Sequence, residues 1–366
     1  MERHMRGIIN TDRLYRHTPI SKNESLSMRG VAILCIAIHN LLHLLIFTHE
    51  NEYVLHLSHT EGFVANIAAR PAWALADTLS FLGWYGVAIF LFLSGYGLVR
   101  KHENMRAQYI SIPYFVTNSY LKLFKLMLLP LFILALLRLY LYHEPYPVDM
   151  FFYMLELVAN ITHYDTYLLS IYWYFGLTFE LYVLYRLCIY RRSINWIIAL
   201  NIMAVALFAY LCSQNDLVNM SFARHNFAGW ILPFTVGVAL ARYDLSSLFQ
   251  NKRLNIAIVL LAGPILTLMN YDPYLWYISP VVAIIAAVAL AKVWQFGMWI
   301  GAISSFIFVA HPIVRQFMIH KPVLNAFGFK ASDPYSIEII PIIALFLALT
   351  LILAHMIKWL HRHLYE

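Results

Sequence analysis

The stretch that decides the fold runs from Ser27 to Glu52, SMRGVAILCIAIHNLLHLLIFTHENE. After Arg29 it reads as apolar helix to Phe47, yet His39, Asn40 and His43 stand inside the apolar run. A helix rises ~1.5 Å per residue, so His39 lies about 15 Å from Arg29, near the middle of a hydrocarbon layer roughly 30 Å thick. Polar groups at that depth are costly, and where they persist they point to function.

The rest of the chain supplies the same apolar context. Of the 366 residues, 61% are apolar and only 12% are charged, about half the charged share of an ordinary soluble domain. Too little polar material is left to clothe a water-soluble surface, so the expected class is an all-α polytopic membrane protein. Ten apolar segments are long enough to span, at 29–47, 73–99, 120–142, 168–189, 194–212, 226–242, 254–270, 274–292, 297–319 and 336–360. Residues 1–28 read as a basic tail and 29–366 as one membrane domain. The tail holds no apolar core of a cleavable leader, so the first membrane helix is expected to act as the insertion signal. Cys35, Cys188 and Cys212 all fall in apolar segments, which suits small buried residues rather than a disulfide or zinc framework.

The net charge of +7 is spread along segment ends and forms no dense patch for nucleic acid. It is better read as orientation. With the N terminus in the cytoplasm, only Arg70, Arg138, Arg224, Arg315, Lys321 and Lys330 of the 26 Lys and Arg fall on the far side. Both termini are therefore expected to be cytoplasmic. The outer loops are acidic or histidine-rich: 48–72 carries His49, Glu50, Glu52, His56, His59 and Glu61, and 143–167 carries Glu144, Asp149, Glu156 and Asp165. Within the second, 151–161 is too short to span and suits the outer interface or a re-entrant turn.

His39 and His43 lie one helical turn apart and share a face. With Asn40 between them and Arg29 below, they suggest a polar cavity rather than a single interhelical hydrogen bond. Neutral imidazole can take a proton from an attacking alcohol, and the His-x-x-x-His spacing also suits two metal ligands. Ser94, Gly95 and Gly97 in FLFLSGYGLVRK (90–101) allow a ligand or another helix to come close. Beyond them Arg100, Lys101, Arg106, Lys122 and Lys125 suit phosphates, whether of a donor or of lipid headgroups. Glu180 in YWYFGLTFELY (172–182) must be protonated, paired or functional. In ISSFIFVAHPIVR (303–315), Pro312 kinks the helix beside His311.

Together these stretches resemble the acyltransferase-3 family of multi-pass membrane O-acyltransferases. MRGVAILCIAIHN resembles its arginine-led first helix with a histidine three turns on, and FLFLSGYGL resembles the end of its second. SYLKLFKLMLLP (119–130) resembles its basic run to a proline, with Lys122 and Lys125 where paired arginines are usual. YWYFGLTFELY, NFAGWILPFTVGVALAR (226–242) and SSFIFVAHPIVR follow in the family's order, so the likeness covers nearly the whole chain. The arginine-to-histidine interval is one residue shorter than usual and Asn40 takes the next place. One residue turns a helix face by about 100°, which leaves both His39 and His43 open as the catalytic base.

The resemblance implies transfer of an acyl group, typically acetyl, from acetyl-CoA or another acyl-CoA to a hydroxyl of a sugar or cell-envelope glycan, by a protein of the cell (inner) membrane. On that footing His39 or His43 is the base, with Glu180 and His311 orienting or relaying protons. Arg29, Asn40, Ser94, Arg100, Lys101, Lys122, Lys125 and Trp173 serve the donor or acceptor, and no metal or resident cofactor is implied. Two other classes suit the same residues. A proton-coupled transporter could use the buried histidines and Glu180, although no inverted repeat is visible. A haem- or metal-binding oxidoreductase could use His39 and His43.

Overall fold

The structure is a computed structural model and describes residues 19–45, 49–103, 110–162, 171–213, 217–243, 246–328, 335 and 339–365. Most of the basic tail and Arg106 lie outside these residues. Among them there is no strand.

The first helix, α1 (Lys22–Leu45), begins seven residues ahead of Arg29. Ser21 and Glu24 form a reciprocal cap: Ser21 N donates to Glu24 Oε2 at 2.7 Å, and Glu24 N donates to Ser21 Oγ at 3.2 Å. This Ser-x-x-Glu box satisfies two otherwise orphaned donors and starts the helix there. Arg29 consequently sits two turns inside α1. A short helix α2 (Leu57–Ala69) follows, then Pro71–Trp73 as a 3-10 turn, α3 (Ala74–Leu82), a second 3-10 turn at Gly83–Tyr85, and α4 (Gly86–His102). Next come α5 (Ile112–Tyr142), the short α6 (Val148–Leu155) and α7 (Ala159–Thr162), and α8 (Trp173–Leu184), which widens into a π-turn at Tyr185–Ile189. The chain continues as α9 (Ile194–Ser213), α10 (Leu217–His225), α11 (Phe227–Arg242), α12 (Lys252–Met269) and α13 (Pro273–Val293). It ends with α14 (Met298–Ala302), α15 (Ser304–Met318), α16 (Lys321–Ala326) and α17 (Ile339–Tyr365).

Among the described residues, seven helical stretches are long and apolar enough to cross a membrane: α1, Pro71–His102, α5, α9, α12, α13 and α17. The other three expected spans are also helical but shorter or broken. The 168–189 segment changes to a π-turn after Leu184, α11 stops at Arg242, and 297–319 is interrupted at Ile303. Expected segment 151–161 is two short helices, α6 and α7.

Burial sorts the helices into layers. Of the most apolar window in Pro71–His102, 72% is buried, against 17% in α9 and in α12. Ile202, Met203, Leu260 and Leu268 on those outer helices are exposed, as lipid-facing side chains should be. The central element is α1, which packs against α3, α4, α13, α14 and α15. The closest helix pair, α4 with α11, depends on missing side chains. A Cβ on Gly95 would meet Phe234 O at 2.1 Å, and one on Gly237 would meet Phe92 O at 2.0 Å. These glycines act in helix packing, with backbones touching as small residues permit.

Candidate active site

The centre lies toward the Leu45 end of α1. His39 is 1% exposed. Its Nδ1 lies 2.7 Å from Ser80 O, in the last turn of α3 where helix carbonyls lose their intrahelical donors. The approach is possible because Gly83 carries no side chain: a Cβ there would come within 2.6 Å of His39 Cβ. A carbonyl can only accept, so Nδ1 carries the proton and neutral His39 has its lone pair on Nε2. That nitrogen is buried without a hydrogen-bond partner and lies 3.7 Å from Glu52 Oε2. Glu52, 6% exposed, arrives from the loop between α1 and α2, and its carboxylate is also bonded by the Tyr53 side chain.

The neighbours complete a polar core. The His43 ring stacks on that of His39 with centroids 4.9 Å apart, and its Nδ1 donates to His39 O at 2.8 Å. Asn40 Oδ1 accepts from Arg315 Nη1 at 2.9 Å. One turn before Arg315 on α15 is His311, fully buried, with Nδ1 3.3 Å from Ile307 O and in reach of Phe308 O. Pro312 is the reason a carbonyl is spare there, since it cannot donate to Phe308 O. Like His39, His311 presents a buried Nε2 with no hydrogen-bond partner. The charge of Arg315 acts on His43, His311, Tyr53 and Tyr172. Outside the spans, burial raises the Glu50 carboxyl, but the imidazoles of His43 and His39 outweigh burial and hold it below its ordinary value.

A model of the acyltransferase domain matches residues 26–359, almost the entire chain. The chain belongs to the acyltransferase-3 family. No curated protein and no solved structure matches it. In this acyltransferase-3 chain, then, the paired rings of α1, the loop carboxylate Glu52 and the α15 pair His311 and Arg315 form one cluster.

Other candidates sit elsewhere. Glu180 on α8 accepts from Asn160 Nδ2 at 2.7 Å and from Phe227 N at 2.9 Å, which sets its carboxyl group against the start of α11. Trp173 packs against Tyr53, His225 and Trp230, alongside the Glu52 loop rather than the basic residues. Arg29 acts electrostatically on Lys122 of α5 and on Tyr174 and Tyr182 of α8, the two phenols bonded to Ser94. Lys125 lies over the Tyr365 ring at 5.2 Å, Arg100 acts on Tyr96, and Lys101 is exposed. The basic residues line the Lys22 end as a dispersed rim. Among the described residues, no three His, Cys, Asp or Glu side chains are grouped to hold a metal.

Sequence reasoning overlooked Glu52 as a site residue and assigned Arg224 and Arg315 to the outer side of the membrane. Arg224 is 0% exposed, and Arg315 is partly buried against Asn40. The available signal was their exception to the charge bias: an arginine on the wrong side of the membrane is a candidate for the interior.

Proposed function

We propose that this chain is a membrane O-acyltransferase that moves an acyl group, acetyl in the simplest case, from acyl-CoA to a hydroxyl of a sugar or cell-envelope glycan. The observation that carries this reading is His39, with Nδ1 committed to Ser80 O and Nε2 beside the buried Glu52 carboxylate, in a chain of this family. A base held in one tautomer by one group and faced by a carboxylate follows the logic by which serine hydrolases arm their histidine.

The acceptor hydroxyl gives its proton to His39 Nε2 while its oxygen attacks the thioester carbonyl. Glu52 stabilises the imidazolium that forms. The tetrahedral intermediate then collapses, the C–S bond breaks, and the departing thiolate recovers the proton from Nε2. Arg315, bonded to Asn40 beside the two rings on α1, is placed to stabilise negative charge on the carbonyl oxygen. The donor's phosphates rest on the rim of Arg29, Arg100, Lys101, Lys122 and Lys125, and its pantetheine arm covers the ~15 Å up α1 to His39. In this reading ten helices or helix pairs cross a cell (inner) membrane, both termini are cytoplasmic and the acceptor enters past the acidic loops.

The test is to incubate purified protein with labelled acetyl-CoA and fractionated envelope glycans. Wild type should label one fraction, and His39→Ala should lower transfer on the order of 10²- to 10⁴-fold while still inserting. Arg29→Ala should abolish transfer at low donor concentration. Full activity in both variants would reject this site.

A further inference from the structure

Glu52 can serve His39 only if the loop after α1 is held down, and an arginine far along the chain, on α10, does this. Arg224, near the end of α10, is completely buried. Its guanidinium lies over three indole rings, at 4.1 Å from Trp230, 4.7 Å from Trp276 and 5.1 Å from Trp84. From this cage Nε donates to Glu52 O at 2.9 Å and Nη1 to Gly229 O at 3.3 Å, while Nη2 has no hydrogen-bond partner. The cage wall bonds the adjacent peptide as well, since Trp276 Nε1 donates to Asn51 O at 2.8 Å. The Asn51 side chain donates to Thr60 Oγ1 and Asn270 Oδ1 and accepts from His56 N. A buried cation is expensive without compensation. Here the π faces and two carbonyls supply it, and the Coulomb field of the Glu52 carboxylate adds to it.

We infer that Arg224 is a positioning residue: clamped in a tryptophan cage, it fixes the Glu52 main chain so that the Glu52 carboxylate stands beside His39 Nε2. The catalytic consequence rests on the reading of His39 given above; the structural claim does not. Both bonds from the cage to the loop end on main-chain oxygens, so Glu52→Cys leaves them in place and makes the loop reportable. Full-length Glu52→Cys protein in membranes is labelled with a membrane-impermeant maleimide, in otherwise unchanged, Arg224→Lys and Arg224→Gln backgrounds. The chain without Glu52→Cys corrects for native thiols.

Loss of a charged hydrogen bond should speed labelling about tenfold to a hundredfold in both backgrounds, with Cys35 labelling unchanged as the sign of an intact fold. Trp276→Phe, which deletes the donor to Asn51 O and keeps an aromatic face toward Arg224, should give a smaller increase and covers the case in which the arginine variants fail to fold. In the transfer assay, Arg224→Lys should lower kcat and leave the donor KM alone, and adding Glu52→Gln to it should cost nothing beyond Glu52→Gln by itself. Labelling as slow in Arg224→Lys and Trp276→Phe as in the unchanged background overturns the inference. Fast labelling in a protein whose wild type transfers no acyl group would uphold the clamp and reject the acyltransfer reading instead.

Discussion

Two of the buried carboxylates, Glu103 and Glu52, lie at opposite ends of the bundle and are bonded in opposite ways. Glu103, 3% exposed at the end of α4, accepts from Arg242 Nε at 2.8 Å and Nη2 at 2.7 Å, from Tyr185 OH at 2.9 Å, and from Arg191 N at 3.4 Å. Arg242 spends its remaining donors on Arg192 O and Ile189 O, the latter ending the π-turn of α8. Both oxygens are bonded to donors, and the result is a clamp joining α4, α8 and α11. Glu52, 6% exposed, instead faces His39 Nε2 at 3.7 Å, beyond hydrogen-bond length. A saturated carboxylate fixes structure; one that is fenced in but not saturated keeps room for a proton and a substrate. Apo contacts of the second kind commonly tighten only when the reactants arrive.

The sharpest way to break this comparison is to remove one partner at each end. Arg242→Ala leaves Glu103 buried and uncompensated, which should cost about 3–5 kcal/mol, a large part of the stability of a typical domain. Thermal unfolding in detergent should show it, with any loss of activity following the loss of fold. Glu52→Gln keeps size and leaves the main-chain bonds from Arg224 and Trp276 intact, so the melting temperature should hold. Transfer should nevertheless drop on the order of 10²-fold, because the imidazolium loses its counter-charge. If Glu52→Gln melts early and Arg242→Ala does not, the two roles have been assigned the wrong way round.

How much of this was legible in the sequence depends on distance along the chain. The helices follow from apolar runs, and His39 stands out because an imidazole deep in such a run has no bland solvent-facing explanation. The start of α1 was equally readable in the box Ser21 to Glu24, although the charge of Arg29 drew the boundary further on. Glu52 was not readable as part of the site. In sequence it is one of several charges in a polar loop, and only the fold shows that the loop turns inward. Glu180 is the converse: the sequence marks it as a carboxylate in an apolar run, and only the fold shows that Phe227 N and Asn160 donate to it. Arg224 and Arg315 fall between the two cases, since the charge bias marked them as exceptions but could not say what they hold.

The smallest expected effect tests the loop around Glu52 by acid. His59 Nδ1 donates to Glu50 O at 3.0 Å, and its ring lies 4.6 Å from that of His56 and 5.1 Å from that of His49. Burial, followed by the nearby His56 and His49, lowers the His59 pKa below its ordinary 6.5. A histidine shifted down in this way is neutral in both states above pH 6.5 and contributes nothing there. As pH falls below 6.5 the open loop takes up the proton first, so acid favours opening until the folded pKa is passed. Glu50 is also depressed, but its window begins only below its ordinary 4.5, where its protonation removes the attraction to His43 and His39. Maleimide labelling of Glu52→Cys, normalised for the pH dependence of a free thiol, should therefore rise modestly between pH 6.5 and 5. In His59→Gln that rise should be absent, while any change below pH 4.5 persists. A rise of equal size in both would assign the acid response to His39 and His43 themselves, and the loop would then report the charge of the catalytic pair rather than its own.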